Sequence, residues 1–168
     1  MTAKAGNNRP AIEDLYPLTP LQQGLWFHEI LDPDSRTYFQ QKALRIDGSL
    51  DRDAFRRAWG AVVARHAVLR TRIVWEDLEQ PLQLVQPDVE LPWFEEDWRD
   101  SPVDEDQTRV RDFLDADRVR GLDLTQAPLM RLTLLRVADS STIFVWSFLH
   151  VILDRWSVDV LLKEVWSA

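Results

Sequence analysis

The residues best suited to chemistry lie near the end of the chain, in the run Ser147-Phe148-Leu149-His150-Val151-Ile152-Leu153-Asp154-Arg155-Trp156-Ser157. Its apolar first part reads as a buried strand that ends at His150, followed by a short loop and a helix beginning near Trp156. A side chain at such a strand-to-helix transition projects from a rigid edge into open space, which suits a reacting group. Histidine is the one side chain whose unperturbed pKa falls near neutrality, so it accepts a proton without large tuning. Asp154, four residues on, could orient a neighbour or pair with an arginine. The same spacing equally suits a hydrogen-bonded histidine packed beneath a helix. For the other two histidines, His28 in the first helix and His66 on an apolar stripe, that structural reading is the stronger one.

The elements that must position this run are legible in outline. Thr19-Pro20-Leu21-Gln22 has the form of a capping box and predicts a helix from Pro20 to about Leu31, stopping before Asp32-Pro33. Tyr38 to Ile46 suits a strand, ended by a turn at Asp47-Gly48. From Asp51, Phe55, Ala58, Trp59, Val62, Val63 and His66 recur on one helical face. Strands are expected at Val68–Trp75 and Pro81–Gln86, then a long acidic connection from Pro87 to Pro102, then a helix over about Val103–Val119. Leu129–Val137 and Thr142–His150 read as two apolar strands joined by a turn at Ala138-Asp139-Ser140-Ser141. The last helix is expected to bury Val158, Leu161, Leu162 and Val165. Helices alternating with strands, with a late hairpin, predict an α/β or α+β sandwich with helices on a mixed sheet.

Composition narrows the function classes. The 168 residues, 45 % of them apolar and 29 % charged, suffice for one compact domain with a real core. Residues 1–11 read as a flexible tail without an apolar signal core, and residues 12–168 as the folded unit. With 28 acidic against 20 basic residues the net charge is −8, which disfavours nucleic acid as a partner. The longest uncharged stretches, Leu15–His28 and Ser140–Leu153, are too short to span a bilayer, so no membrane partner is expected. The absence of cysteine removes disulfides, thiolate metal sites and cysteine nucleophiles, and fits a cytoplasmic protein. The three histidines are too widely spaced to suggest a metal site. The eight tryptophans suit a core or an interface better than a cofactor site.

Three ordered stretches add a family resemblance. Tyr16-Pro17-Leu18-Thr19-Pro20-Leu21-Gln22-Gln23-Gly24-Leu25-Trp26-Phe27-His28 resembles the opening motif of nonribosomal peptide synthetase condensation domains. Arg65-His66-Ala67-Val68-Leu69-Arg70-Thr71 resembles the family's second motif, and Leu149 to Ser157 stands where the third, HHxxxDGWS, lies. Leu122-Asp123-Leu124 with Ala127-Pro128-Leu129 is also similar to a family segment. The resemblance runs from about Ile12 to the end of the chain and leaves the tail unexplained.

That resemblance implies a chloramphenicol acetyltransferase-like fold, in which two similar lobes form a V around a tunnel. The chain then corresponds to the N-terminal lobe, with the second lobe absent. In the family, carrier proteins deliver substrates on phosphopantetheine arms, and the downstream amine attacks the upstream thioester to form an amide. No cofactor is expected on this chain itself. By resemblance the catalytic histidine is His150. The motif's aspartate, Asp154, is implied to pair with Arg65 or Arg70; the alternative is that those arginines only cap the helix end and solvate the strand.

Two motif positions depart from the pattern. Leu149 replaces the first histidine, and its packing can refill that space. Arg155 replaces the glycine, which leaves room for a pantetheine arm and permits unusual backbone angles. Trp156-Ser157 matches a peptide-forming domain better than an epimerising one. The implied function is amide formation by a lobe that is inactive alone and needs its second lobe or neighbouring synthetase domains. Two alternatives stand beside it: a degenerate module that recruits carrier proteins or partner enzymes, and a single-lobe acyltransferase that builds its site by self-association.

Overall fold

The computed structural model describes residues 12–100 and 106–168. The tail expected over residues 1–11, and the helix start expected at Val103, lie outside the described residues. The chain forms β1 (Asp14–Pro17), α1 (Pro20–Leu31), β2 (Phe39–Asp47), α2 (Arg52–Arg65), a 3-10 turn (Ala67–Arg70), β3 (Thr71–Val74) and β4 (Leu82–Val85). It continues with β5 (Trp93–Asp97), α3 (Asp106–Arg120), β6 (Met130–Ala138), β7 (Ser141–Leu149) and α4 (Arg155–Ser167).

Two sheets result. The smaller is an antiparallel ribbon in the order β1-β4-β3. The larger runs β2-β7-β6-β5, antiparallel except for the parallel pairing of β5 with β6, so the sheet is mixed as expected. The β6–β7 hairpin turns through Asp139-Ser140, and Phe39 of β2 lies opposite Leu149 of β7.

All nine residues of β7 are buried because the large sheet is covered on both faces. Side chains alternate along a strand. Met130, Leu132 and Leu134 of β6, with Phe144, Trp146 and Phe148 of β7, therefore share one face. There they join Phe55, Trp59, Val62 and Val63 of α2 and Val158, Leu161 and Val165 of α4. Trp59 and Trp146, both fully buried, meet edge to face with ring centroids 4.8 Å apart. On the opposite face Leu135, Val137, Ile143 and Val145 gather with Trp98 under Val110, Phe113 and Leu114 of α3. The layers are thus α2 and α4, then the sheet, then α3.

The α3 face also holds a buried polar group. Asp117 Oδ1 accepts from Arg131 Nε at 2.7 Å. Its Oδ2 accepts from Ser147 Oγ at 2.6 Å and Gln41 Nε2 at 2.9 Å. Up to Ser147, odd-numbered positions on β6 and β7 point to this side, which is why Arg131 and Ser147 reach α3 at all.

Several local expectations change. The strand expected from Val68 begins only at Thr71, because Ala67–Arg70 close a tight 3-10 turn in which the Leu69 amide donates to His66 O at 3.0 Å. The long connection after Pro87 contains β5, and β1 precedes the first helix. The capping box is present: Thr19 Oγ1 accepts from the Gln22 amide and Gln22 Oε1 from the Thr19 amide.

Candidate active site

His150 is held by backbone on both sides. The Leu149 amide donates to Leu129 O at 3.2 Å and the His150 amide to Tyr38 O at 2.9 Å, so the end of β7 is pinned between its two neighbours. The chain then turns, with the Ile152 amide donating to Leu149 O at 3.2 Å, and α4 starts at Arg155. His150 is half-buried, and its Nδ1 lies 2.6 Å from the carbonyl oxygen of Leu153 within that turn.

This contact fixes the tautomer. A carbonyl oxygen only accepts, so Nδ1 carries the hydrogen, and in the neutral ring Nε2 is left with its lone pair. The turn thereby orients a proton acceptor through a main-chain carbonyl.

Asp154 has a different task from the one implied by resemblance. It is the exposed N-cap of α4, its Oδ1 accepting from the Ser157 amide at 2.8 Å. Hydrogen bonds from the Ser157 backbone, then from its side chain, hold the carboxyl below its ordinary range despite some desolvation, with a smaller contribution from the His150 charge. Neither arginine of the second motif reaches it. Arg65 is exposed and bonds Glu164 of α4 at 3.3 Å. Arg70 is buried, donating to Val63 O at 3.2 Å, to Gln86 O, and to both carboxylate oxygens of Glu13. The expected Asp154–arginine pair is therefore replaced by a helix cap and by two ion pairs elsewhere. Burial separates Arg70 from the exposed Asp154, whereas the exposed Arg65 is taken by Glu164 of α4.

The substituted positions also find their places. Leu149 is buried in the main core. Arg155 opens α4 on the exposed surface, and its φ lies outside the left-handed region. The backbone freedom that a glycine would bring at this position is thus not needed. Trp156 is 78 % exposed, beside the half-buried Ser157.

Two further residues join the site unannounced by the sequence. Gln22, already used as a helix cap, donates its amide N–H to Val151 O at 2.9 Å and to Gln83 Oε1 at 3.0 Å, tying α1 to the His150 turn. Nothing in a capping-box pattern signals that second bond. Tyr38 contributes its carbonyl, and a main-chain role leaves no side-chain signature. Among the described residues no group of three His, Cys, Asp or Glu side chains could hold a metal ion. No helix among them is long and apolar enough to cross a membrane.

The model of the condensation domain family matches residues 12–168. The chain belongs to the condensation domain family. Among curated relatives, one of the linear gramicidin synthase proteins of Brevibacillus parabrevis is 44 % identical over 154 residues, covering 92 % of this chain and 3 % of that protein. A mycosubtilin synthase protein of Bacillus subtilis is 38 % identical over 154 residues, covering 92 % of this chain and 6 % of that protein. The starter condensation domain of rhizomide synthetase RzmA superposes with a TM-score of 0.81 at 22 % identity, over 91 % of this chain and 38 % of that one. The fold of this condensation-family chain is thus the expected chloramphenicol acetyltransferase-like one. The chain spans only a few per cent of the curated synthetases it matches.

Proposed function

We propose that this chain is the histidine-bearing N-terminal lobe of an amide-forming condensation domain, with His150 as its base. The observation that carries the reading is the Nδ1 contact to Leu153 O, which leaves Nε2 free to accept a proton. In the reaction an aminoacyl amine attacks an acyl or peptidyl thioester. The C–N bond forms, the amine proton passes to Nε2, the C–S bond breaks, and the departing thiolate recovers a proton from the imidazolium. Both substrates arrive on phosphopantetheine arms of carrier proteins, and the chain needs a second lobe or neighbouring synthetase domains to enclose them. Asp154 and Ser157 support the site by starting α4 directly behind the turn. Arg65 and Arg70 support it at a distance, by fixing α4 through Glu164 and the small sheet through Glu13.

The departures at Leu149 and Arg155 favour a second reading, a non-catalytic module that recruits carrier proteins or partner enzymes. The experiment is His150→Ala in the full-length synthetase, with amide product measured on loaded carriers. Product falling by two orders of magnitude or more supports the base. Undiminished product sinks it and leaves recruitment.

A further inference from the structure

The residue least explained by the fold is Glu29, on α1. It is only 8 % exposed, and among the described residues neither carboxylate oxygen has a hydrogen-bond partner. It lines a small cavity of about 10 Å³ together with Leu25, Trp26, Tyr38, Leu149 and Val151. The buried indole N–H of Trp26, in the same wall, is likewise without a partner. A volume of this size is close to that of one water-sized sphere, so the carboxyl cannot be solvated as in bulk.

The position of this cavity matters more than its size. Gln22, Trp26 and Glu29 follow one another at helical spacing on a single face of α1. That face meets the His150 turn: Gln22 holds Val151 O, while Leu149 and Val151 flank His150 in the chain and line the cavity. Tyr38, also in its wall, supplies the carbonyl that receives the His150 amide.

The charged or titratable groups facing Glu29 are Arg36, from the segment after α1, and Tyr38, at the entry to β2. Arg36 comes no nearer than 4.0 Å, beyond hydrogen-bond reach. Its guanidinium is committed elsewhere. Arg36 has a left-handed φ of 50°, donates to Val119 O at 3.3 Å, and lies so close to Gly121 that a Cβ there would fall 2.5 Å from its Cζ.

We infer that Glu29 is a positioning residue, held as a neutral carboxylic acid, that seats the turn carrying His150 and unseats it on ionising. An ionised carboxylate without a hydrogen-bond donor is expelled from such a site, whereas the neutral acid is tolerated. Burial pushes the carboxyl above its ordinary value, and the Arg36 guanidinium, 4.0 Å away, offsets this only in part. The catalytic meaning rests on the proposed role of His150; the protonation state does not.

The native state then holds a proton in a pH window where the unfolded chain has released it. Stability from this group is complete below the ordinary carboxyl pKa. It is lost as pH rises toward the raised folded value, the folding constant falling up to tenfold per pH unit. The test compares the 168-residue chain with Glu29→Gln, an uncharged near-isostere, by urea unfolding from pH 4 to 9. The ratio of folding constants, variant over parent, is expected to rise with pH and then level off. In the parent, the His150 ring resonances should show an inflection that coincides with the carbon-13 titration of the Glu29 carboxyl and is absent from Glu29→Gln. The carboxyl titration needs no variant, so it decides the matter even if Glu29→Gln does not fold. A flat or falling ratio, or a carboxyl titrating at or below its ordinary value, overturns the neutral acid and leaves an ion pair with Arg36. A His150 signal blind to Glu29 overturns the positioning role. Amide formation that survives His150→Ala would instead refute the base while leaving the Glu29 titration untouched, so the two failures are separable.

Discussion

Asp117→Ala removes the centre of the polar group between α3 and the large sheet. Asp117 and Arg131 are 5 % and 8 % exposed, and the carboxylate accepts from Arg131, Ser147 and Gln41. Truncation leaves a buried guanidinium without its counter-charge, and strands the Ser147 hydroxyl. Breaking one side of a buried pair typically costs about 3–5 kcal/mol. Arg131 retains Gly121 O at 3.1 Å and the main-chain oxygen of residue 117 at 3.2 Å, which places the expected loss at the lower end, about 3–4 kcal/mol. For a chain of 168 residues that corresponds to a fall in Tm of roughly 10 °C.

Urea unfolding at neutral pH measures this directly, and a double variant tests the cause. If the cost is mainly that of the orphaned charge, Asp117→Ala with Arg131→Met should be less destabilised than Asp117→Ala alone, because an apolar replacement for a whole buried pair is often close to neutral. A single-variant loss below about 1 kcal/mol, or a double variant no better than the single, would refute the reasoning.

Two further outcomes follow from the ion pairs and caps. Asp154→Ala should destabilise the chain whereas Asp154→Ser should retain most of the parent's stability, since serine also caps a helix; equal losses in urea would restore the arginine pairing that the geometry replaces. Glu164 is held below its ordinary pKa of 4.5, chiefly by the hydrogen bond from His66, with help from Arg65 against some desolvation. A lowered folded value means that its contribution is complete above about pH 4.5 and lost as pH falls through it. The stability gap between the parent and Glu164→Gln should therefore be present above about pH 4.5 and narrow as pH falls below it, and a gap undiminished in strong acid would contradict the assignment.

What the sequence disclosed was decided locally. The Thr19–Gln22 box, the single face from Phe55 to Val63, and the apolar pair of strands ending at His150 each carry their signal within a few residues, and each is present in the fold. What it withheld depends on distant neighbours. β5 reads as an acidic connection because it is an edge strand with mostly exposed side chains, and only its parallel pairing with β6 makes it a strand. The partners of Arg65, Arg70 and Asp154 were not legible for the same reason. Glu164 lies 99 residues beyond Arg65 and Glu13 lies 57 before Arg70, and no spacing rule links them.

The same distinction bears on the altered motif. The bonds that seat His150 run through main-chain atoms: its amide to Tyr38 O, the Leu149 amide to Leu129 O, and its ring to Leu153 O. The partners at positions 38, 129 and 153 contribute carbonyls, not side chains. A main-chain bond is indifferent to the side chain it comes from, so a leucine at position 149 leaves the seat intact while filling the core. Arg155 begins a helix with an ordinary φ, and its side chain stands in solvent. Losses at these two positions therefore remove neither the imidazole, nor its tautomer, nor the turn that presents it. They alter what surrounds the histidine without disturbing its seat, so the recruitment reading draws on the changed motif residues alone and on no change in how His150 is held.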